Sequence, residues 1–100
     1  MIMHTYLSLS EKSDKKYKVL VDGKTIHFGG AGYSDYTKHK DSERKQRYMA
    51  RHKARENWGK SGIKTAGFWS RWILWNKPTL KDSIKATERK FNIKITRCSF

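Results

Sequence analysis

Apolar and polar positions along this chain change their period several times, and each change marks a new element. Over residues 1–10, Ile2, His4, Tyr6 and Ser8 alternate with Met3, Thr5, Leu7 and Leu9, which predicts a short strand. Glu11 to Lys16 form a charged connector, so an N-terminal strand and connector occupy 1–16. Two β-prone runs, Tyr17-Lys18-Val19-Leu20-Val21 and Lys24-Thr25-Ile26-His27-Phe28, then flank Asp22-Gly23. Asp-Gly in that position selects a two-residue type I′ turn, whose central residues both need positive φ. The turn sets a register, with Val21 opposite Lys24, Val19 opposite Ile26 and Tyr17 opposite Phe28. A hairpin over 17–28 follows, with Tyr17, Val19, Ile26 and Phe28 on an apolar face and Lys18, Leu20, Thr25 and His27 on the other. The glycine-rich run from Gly29 to Tyr36 reads as a loop.

Beyond it the period lengthens. Residues 41–58 are predicted to be a helix, with Asp41 as N-cap, Glu43 in the first turn and Trp58-Gly59 at the end. Tyr48, His52 and Arg55 follow one helical row beside Met49, giving a narrow docking face and a broad cationic one. Gly59 to Gly67 form a second loop. Over 66–76, Phe68, Trp72 and Trp75 share one helical side and Trp69 and Ile73 the adjacent row, so a short buried helix fits better than a strand. Asn76-Lys77-Pro78 interrupts it. Thr79 then caps a helix over 79–91, with Asp82 three residues on, and Leu80, Ile84, Thr87 and Phe91 mark its buried side. Asn92 suits a left-handed stop. Ile93-Lys94-Ile95-Thr96 alternates again, a strand over 93–97 that joins the hairpin sheet. The expected fold is α+β: a single basic domain, 1–100, of a β-hairpin, three helices and a short C-terminal strand. Its expected core is Tyr17, Val19, Ile26, Phe28, Phe68, Trp69, Trp72, Ile73, Trp75, Leu80, Ile84 and Phe91.

Charge changes the picture most. Lys and Arg number 23 against nine Asp and Glu, a formal charge of +14. The excess runs through the whole body: +3 over residues 1–40, +5 over 41–64 and +6 over 65–100. Self-repulsion on this scale opposes a compact monomer and is relieved by a counter-charged partner. The aromatic content, 13%, argues against a disordered tail. The residues expected to meet a polyanion are Arg44, Lys45, Arg47, Arg51, Lys53 and Arg55, with Lys81, Lys85, Arg89 and Lys90 as a second patch. The plainer alternative for such a run is a solvated face; the whole-chain charge favours polyanion contact. Candidate partners are an acidic protein surface, double-stranded DNA and an anionic membrane leaflet.

Other chemistry finds less support. The Trp cluster could stack on bases, but its spacing fits core rows better. His4, His27, His39 and His52 match no zinc spacing, and Cys98 is the sole cysteine, which excludes an internal disulfide and a Cys-based zinc site. The acids are dispersed, with no cluster for two-metal hydrolysis. A non-enzymatic protein without metal, cofactor or small-molecule substrate is expected. The N-terminal apolar stretch is too short for a signal or membrane helix, so no transmembrane segment and no secretion are expected.

Three stretches are together distinctive: Val21 to Gly29; Tyr33-Ser34-Asp35-Tyr36-Thr37 leading into Asp41-Ser42-Glu43-Arg44-Lys45; and Ala66-Gly67-Phe68-Trp69-Ser70-Arg71-Trp72-Ile73-Leu74-Trp75-Asn76-Lys77-Pro78. Over about Tyr17 to Phe91 the chain resembles a family of small basic proteins of nucleocytoplasmic large and giant DNA viruses, a family without established activity. The resemblance implies a viral origin and a place in the virion, assembled in host cytoplasm or nucleus, and carries over no catalytic residue. It implies a minor capsid or capsid-associated component that binds acidic surfaces of larger shell proteins, or else a nonspecific DNA-condensing core protein.

Overall fold

A computed structural model describes residues 2–100; Met1, the first position of the expected N-terminal strand, lies outside the described residues. The alternation at the N-terminus forms β1 (Met3–Leu9). The hairpin is β2 (Lys15–Val21) and β3 (Lys24–Gly30), in the register that the Asp-Gly turn dictates. Asp22 and Gly23 take φ of 49° and 78°, as a type I′ turn requires. The hairpin is longer than 17–28 because Lys15 also pairs with Gly30, which absorbs the end of the connector and two glycines of the loop.

Helical elements follow: α1 (Tyr36–His39), α2 (Ser42–His52), a 3-10 turn at Lys60–Gly62, α3 (Ala66–Trp69) running into a π-helical segment (Ser70–Leu74), and α4 (Leu80–Phe91). The chain closes with β4 (Ile93–Cys98). Sheet order is β3-β2-β1-β4, with β1 and β4 parallel and the other pairs antiparallel. The helical segment therefore crosses from one edge of the sheet to the other. The class is α+β.

One sheet face makes the core. Leu7, Val19, Val21, Ile26, Phe28, Ile93 and Ile95 cluster with Ile63, Phe68, Trp69, Ile73, Leu74, Ile84 and Phe91. Trp69 is fully buried and its indole N–H donates to the Ile63 carbonyl at 2.7 Å. Tyr17, Trp72, Trp75 and Leu80, expected in the core, pack against it half-buried. The opposite sheet face is open, with Tyr6 and Leu20 side by side and exposed.

Two expectations are corrected. The basic helix does not reach residue 58: α2 ends at His52, and the Arg55 and Glu56 amides both bond back to the His52 carbonyl. Past His52 the chain turns instead, so that Glu56 accepts from the Trp58 indole at 2.9 Å and the Trp58 carbonyl accepts from the Trp72 indole at 2.8 Å. The aromatic segment is not one α-helix with Phe68, Trp72 and Trp75 on a common side. The Trp75 amide bonds to the Ser70 carbonyl, five residues back, so the π-turn rotates Trp75 away. Trp72 stays with Phe68 and Phe91, whereas Trp75 stacks on Tyr48 of α2 at 4.3 Å, only 3° from parallel.

Candidate functional site

The π-turn has a consequence for the basic helix. By sending Trp75 toward α2, it supplies the surface on which Tyr48, the only buried residue of that helix, is anchored. His52 packs against the same Tyr48 ring at 4.4 Å. Burial, with the Glu56 carboxylate nearby, pushes the Tyr48 phenol well above its ordinary range. Arg71 is buried beneath this layer, over the rings of Trp72 and Trp58, and donates to the Trp75 carbonyl at 3.0 Å. Burial lowers its pKa, yet a guanidinium stays charged; the aromatic faces replace the carboxylate it lacks.

Between the far end of the hairpin, α2 and α3 lies a cleft of about 550 Å³. Phe28, Leu74, Tyr48 and Trp75 give it an apolar lining. Its rim is cationic: Lys15 from β2 and Arg44 and Arg51 from α2. The two carboxylates in it, Asp35 and Glu56, are already engaged. Asp35 is buried, caps α1 at the Thr37 amide and pairs with Lys16 at 2.5 Å. Glu56 accepts from Trp58 Nε1 at 2.9 Å and faces His52 Nδ1 at 3.0 Å. Glycines let the walls close in. A Cβ on Gly29, which has φ of +80°, would lie 2.8 Å from Leu74 Cδ1, and one on Gly67 would lie 2.8 Å from Glu56 Cδ.

The expected polyanion residues divide into groups. Arg44, Arg47 and Arg51 form an exposed row on α2, at i, i+3 and i+7. Arg47 reaches Glu43 at 3.9 Å, but both are exposed and such a pair contributes about 0.3–0.5 kcal/mol. Lys45 points elsewhere: its ammonium donates to the Asn76 carbonyl at 2.6 Å and lies over the Tyr36 ring at 5.0 Å. Burial, helped by Arg71 and Lys77, lowers its pKa. Lys45 is a strut between α2 and the chain after the π-turn. Lys53 and Arg55 sit beyond the helix end and are exposed. On α4, Lys81, Lys85 and Arg89 form a second exposed row, while Lys90 leans over Trp72 at 5.2 Å.

Residues 6–52 match the model of a family of unknown function, DUF5754. The similarity takes in the hairpin and all of α2, hence the cationic rim, and stops before the π-turn. No curated protein and no solved structure matches the chain.

Sequence reasoning found the rim arginines but missed the cleft. Nothing in the sequence joined Lys15, Asp35, Glu56, Gly29 and Gly67 into one site, because loops on either side of α2 bring them together from distant positions. The signal for Asp35 was present: Asp before Tyr-Thr is an Asx-type cap of a short helix. Among the described residues, no group of three His, Cys, Asp or Glu side chains could hold a metal, and no helix is long and apolar enough to cross a membrane.

Proposed function

We propose that this protein is a non-enzymatic structural component that docks, through the cationic side of α2 and the adjoining cleft, onto the acidic surface of a larger protein. The resemblance to small basic proteins of large DNA viruses makes a virion shell the favoured setting, with the protein as a minor capsid or capsid-associated part. One observation carries the reading. Arg44 and Arg51 have no carboxylate partner among the described residues, while Asp35 and Glu56 beside them are spent on internal bonds. The rim is thus a set of cations awaiting an external anion.

A second reading is nonspecific binding of duplex DNA in a virion core. The separate cationic row on α4 favours it, since two patches on one body of 36 × 28 × 24 Å can contact two duplex segments.

Reversing Arg44, Arg47 and Arg51 to Glu tests both. The fold should survive, because none of the three is buried. Binding to poly-glutamate, standing in for an acidic protein surface, should be lost. Should duplex DNA be the partner, the wild-type salt slope will be steep and will fall by about 2.7 in the variant, from three lost phosphate contacts. Unchanged binding of both polymers by the variant would end the proposal.

A further inference from the structure

We infer that the cleft between β3, α2 and α3 is a receptor for an acidic peptide segment of the partner that inserts one apolar side chain between flanking carboxylates. The inference rests on the proposed docking to an acidic protein and names how that protein is gripped.

A volume of about 550 Å³ falls within the range of ligand pockets and exceeds what one carboxylate needs. The floor is apolar: Phe28 and Leu74 line it, each almost wholly covered, and half-buried Trp75 adds ring surface beside them. The rim is cationic at Lys15, Arg44 and Arg51. An apolar anchor with acidic neighbours satisfies floor and rim together; a bare polyanion satisfies only the rim. The anchor's burial would add specificity to an attraction otherwise set by charge alone.

A nucleotide base fits less well. The Tyr48 ring is already packed against His52 at 4.4 Å and Trp75 at 4.3 Å, so it offers no free stacking surface. The carboxylates that could read a base's amino group are occupied: Asp35 by Lys16 and the Thr37 amide, Glu56 by Trp58 and His52. Gly29, Gly30 and Gly67 line the cleft, packed from within by Leu74, Tyr33 and Glu56, so their amides report on whatever enters it.

The test uses two blocked peptides, EEFEE and EEGEE, titrated into the full chain by calorimetry, with poly-glutamate alongside. Burying the Phe ring should make EEFEE bind at least about tenfold tighter than EEGEE. EEFEE should also shift the amide resonances of Gly29, Gly30 and Gly67. Ala66→Trp, at an exposed position lining the cleft, fills it without removing a charge. That variant should lose the tenfold preference and keep poly-glutamate binding. Equal affinities for the two peptides, or a preference without movement of the glycine amides, would overturn the inference while docking to acidic protein stood. Failure of poly-glutamate and both peptides to bind would overturn docking and cleft alike. The resonance shifts are read on the wild-type chain, so the result does not depend on the variant folding.

Discussion

The two long helices carry similar cationic rows but are held by opposite means. α4 buries Ser83, Ile84, Thr87 and Phe91, is capped by the Thr79 hydroxyl on the Asp82 amide, and stops at Asn92 with φ of 53°. Its Thr87 hydroxyl shares its one proton between the Ser83 carbonyl at 2.8 Å and the Trp72 carbonyl at 3.1 Å, the second contact reaching the π-turn. α2 buries one side chain, Tyr48, and is otherwise fastened by ring stacking and by the Lys45 strut. α4 belongs to the core and displays its cations as a by-product. α2 is an arm laid on the core, and its composition is free to serve a partner. The lesson is that equal charge on two helices does not mean equal freedom to bind.

Breaking the core side should have the largest effect. Phe68 is fully buried between Trp69, Trp72 and Phe91, so Phe68→Ala should cost about 3–5 kcal/mol. Chemical denaturation should show the main transition moved bodily, with α4 and the sheet lost together. Tyr48→Ala should behave differently. Hydrogen exchange should accelerate across α2 while amides of α4 and the sheet keep their protection. Loss of protection throughout would show that α2 is part of the core after all.

The caps sharpen the comparison at smaller scale. Thr79→Ala and Asp41→Ala each remove a side-chain acceptor from a helix start, worth about 1 kcal/mol. Only the α4 variant should lower the melting temperature of the whole domain, because only α4 is coupled to global unfolding. Equal shifts from both would erase the distinction.

The smallest effect is one of pH. The folded Tyr48 phenol has a raised pKa through burial first and Glu56 second. Its stabilising contribution is complete below the ordinary tyrosine value of about 10 and is lost as pH rises above it, since the unfolded chain ionises first. Tyr48→Phe should therefore flatten the alkaline fall in stability above about pH 10, read by denaturation at a series of pH values. An unchanged slope would mean the phenol is not held neutral by the fold.

Much of the architecture was legible from local chemistry. Asp22-Gly23 dictated the hairpin and its register, because an I′ turn admits few residues and the pleat then leaves no choice of face. Thr79 and Asn92 marked the ends of α4 for equally local reasons of capping and left-handed geometry. The rim arginines were visible as a charge run. Their relation to the cleft was not. Lys15 and Gly67 lie 52 positions apart yet line one depression, and nothing in the spacing of either announces the other.

What the amino-acid order determined alone is the set of elements, the α+β class and the sign of the surface, since turns, caps, periodicity and charge act over a few residues. Tertiary structure decided where α2 stops, which way Trp75 faces, and which cations remain free. Those outcomes depend on what each segment finds to bury or bond once the chain has closed on itself. Lys45 and Arg44 are neighbours of like charge; only the position of the Asn76 carbonyl makes one a strut and leaves the other open to a partner.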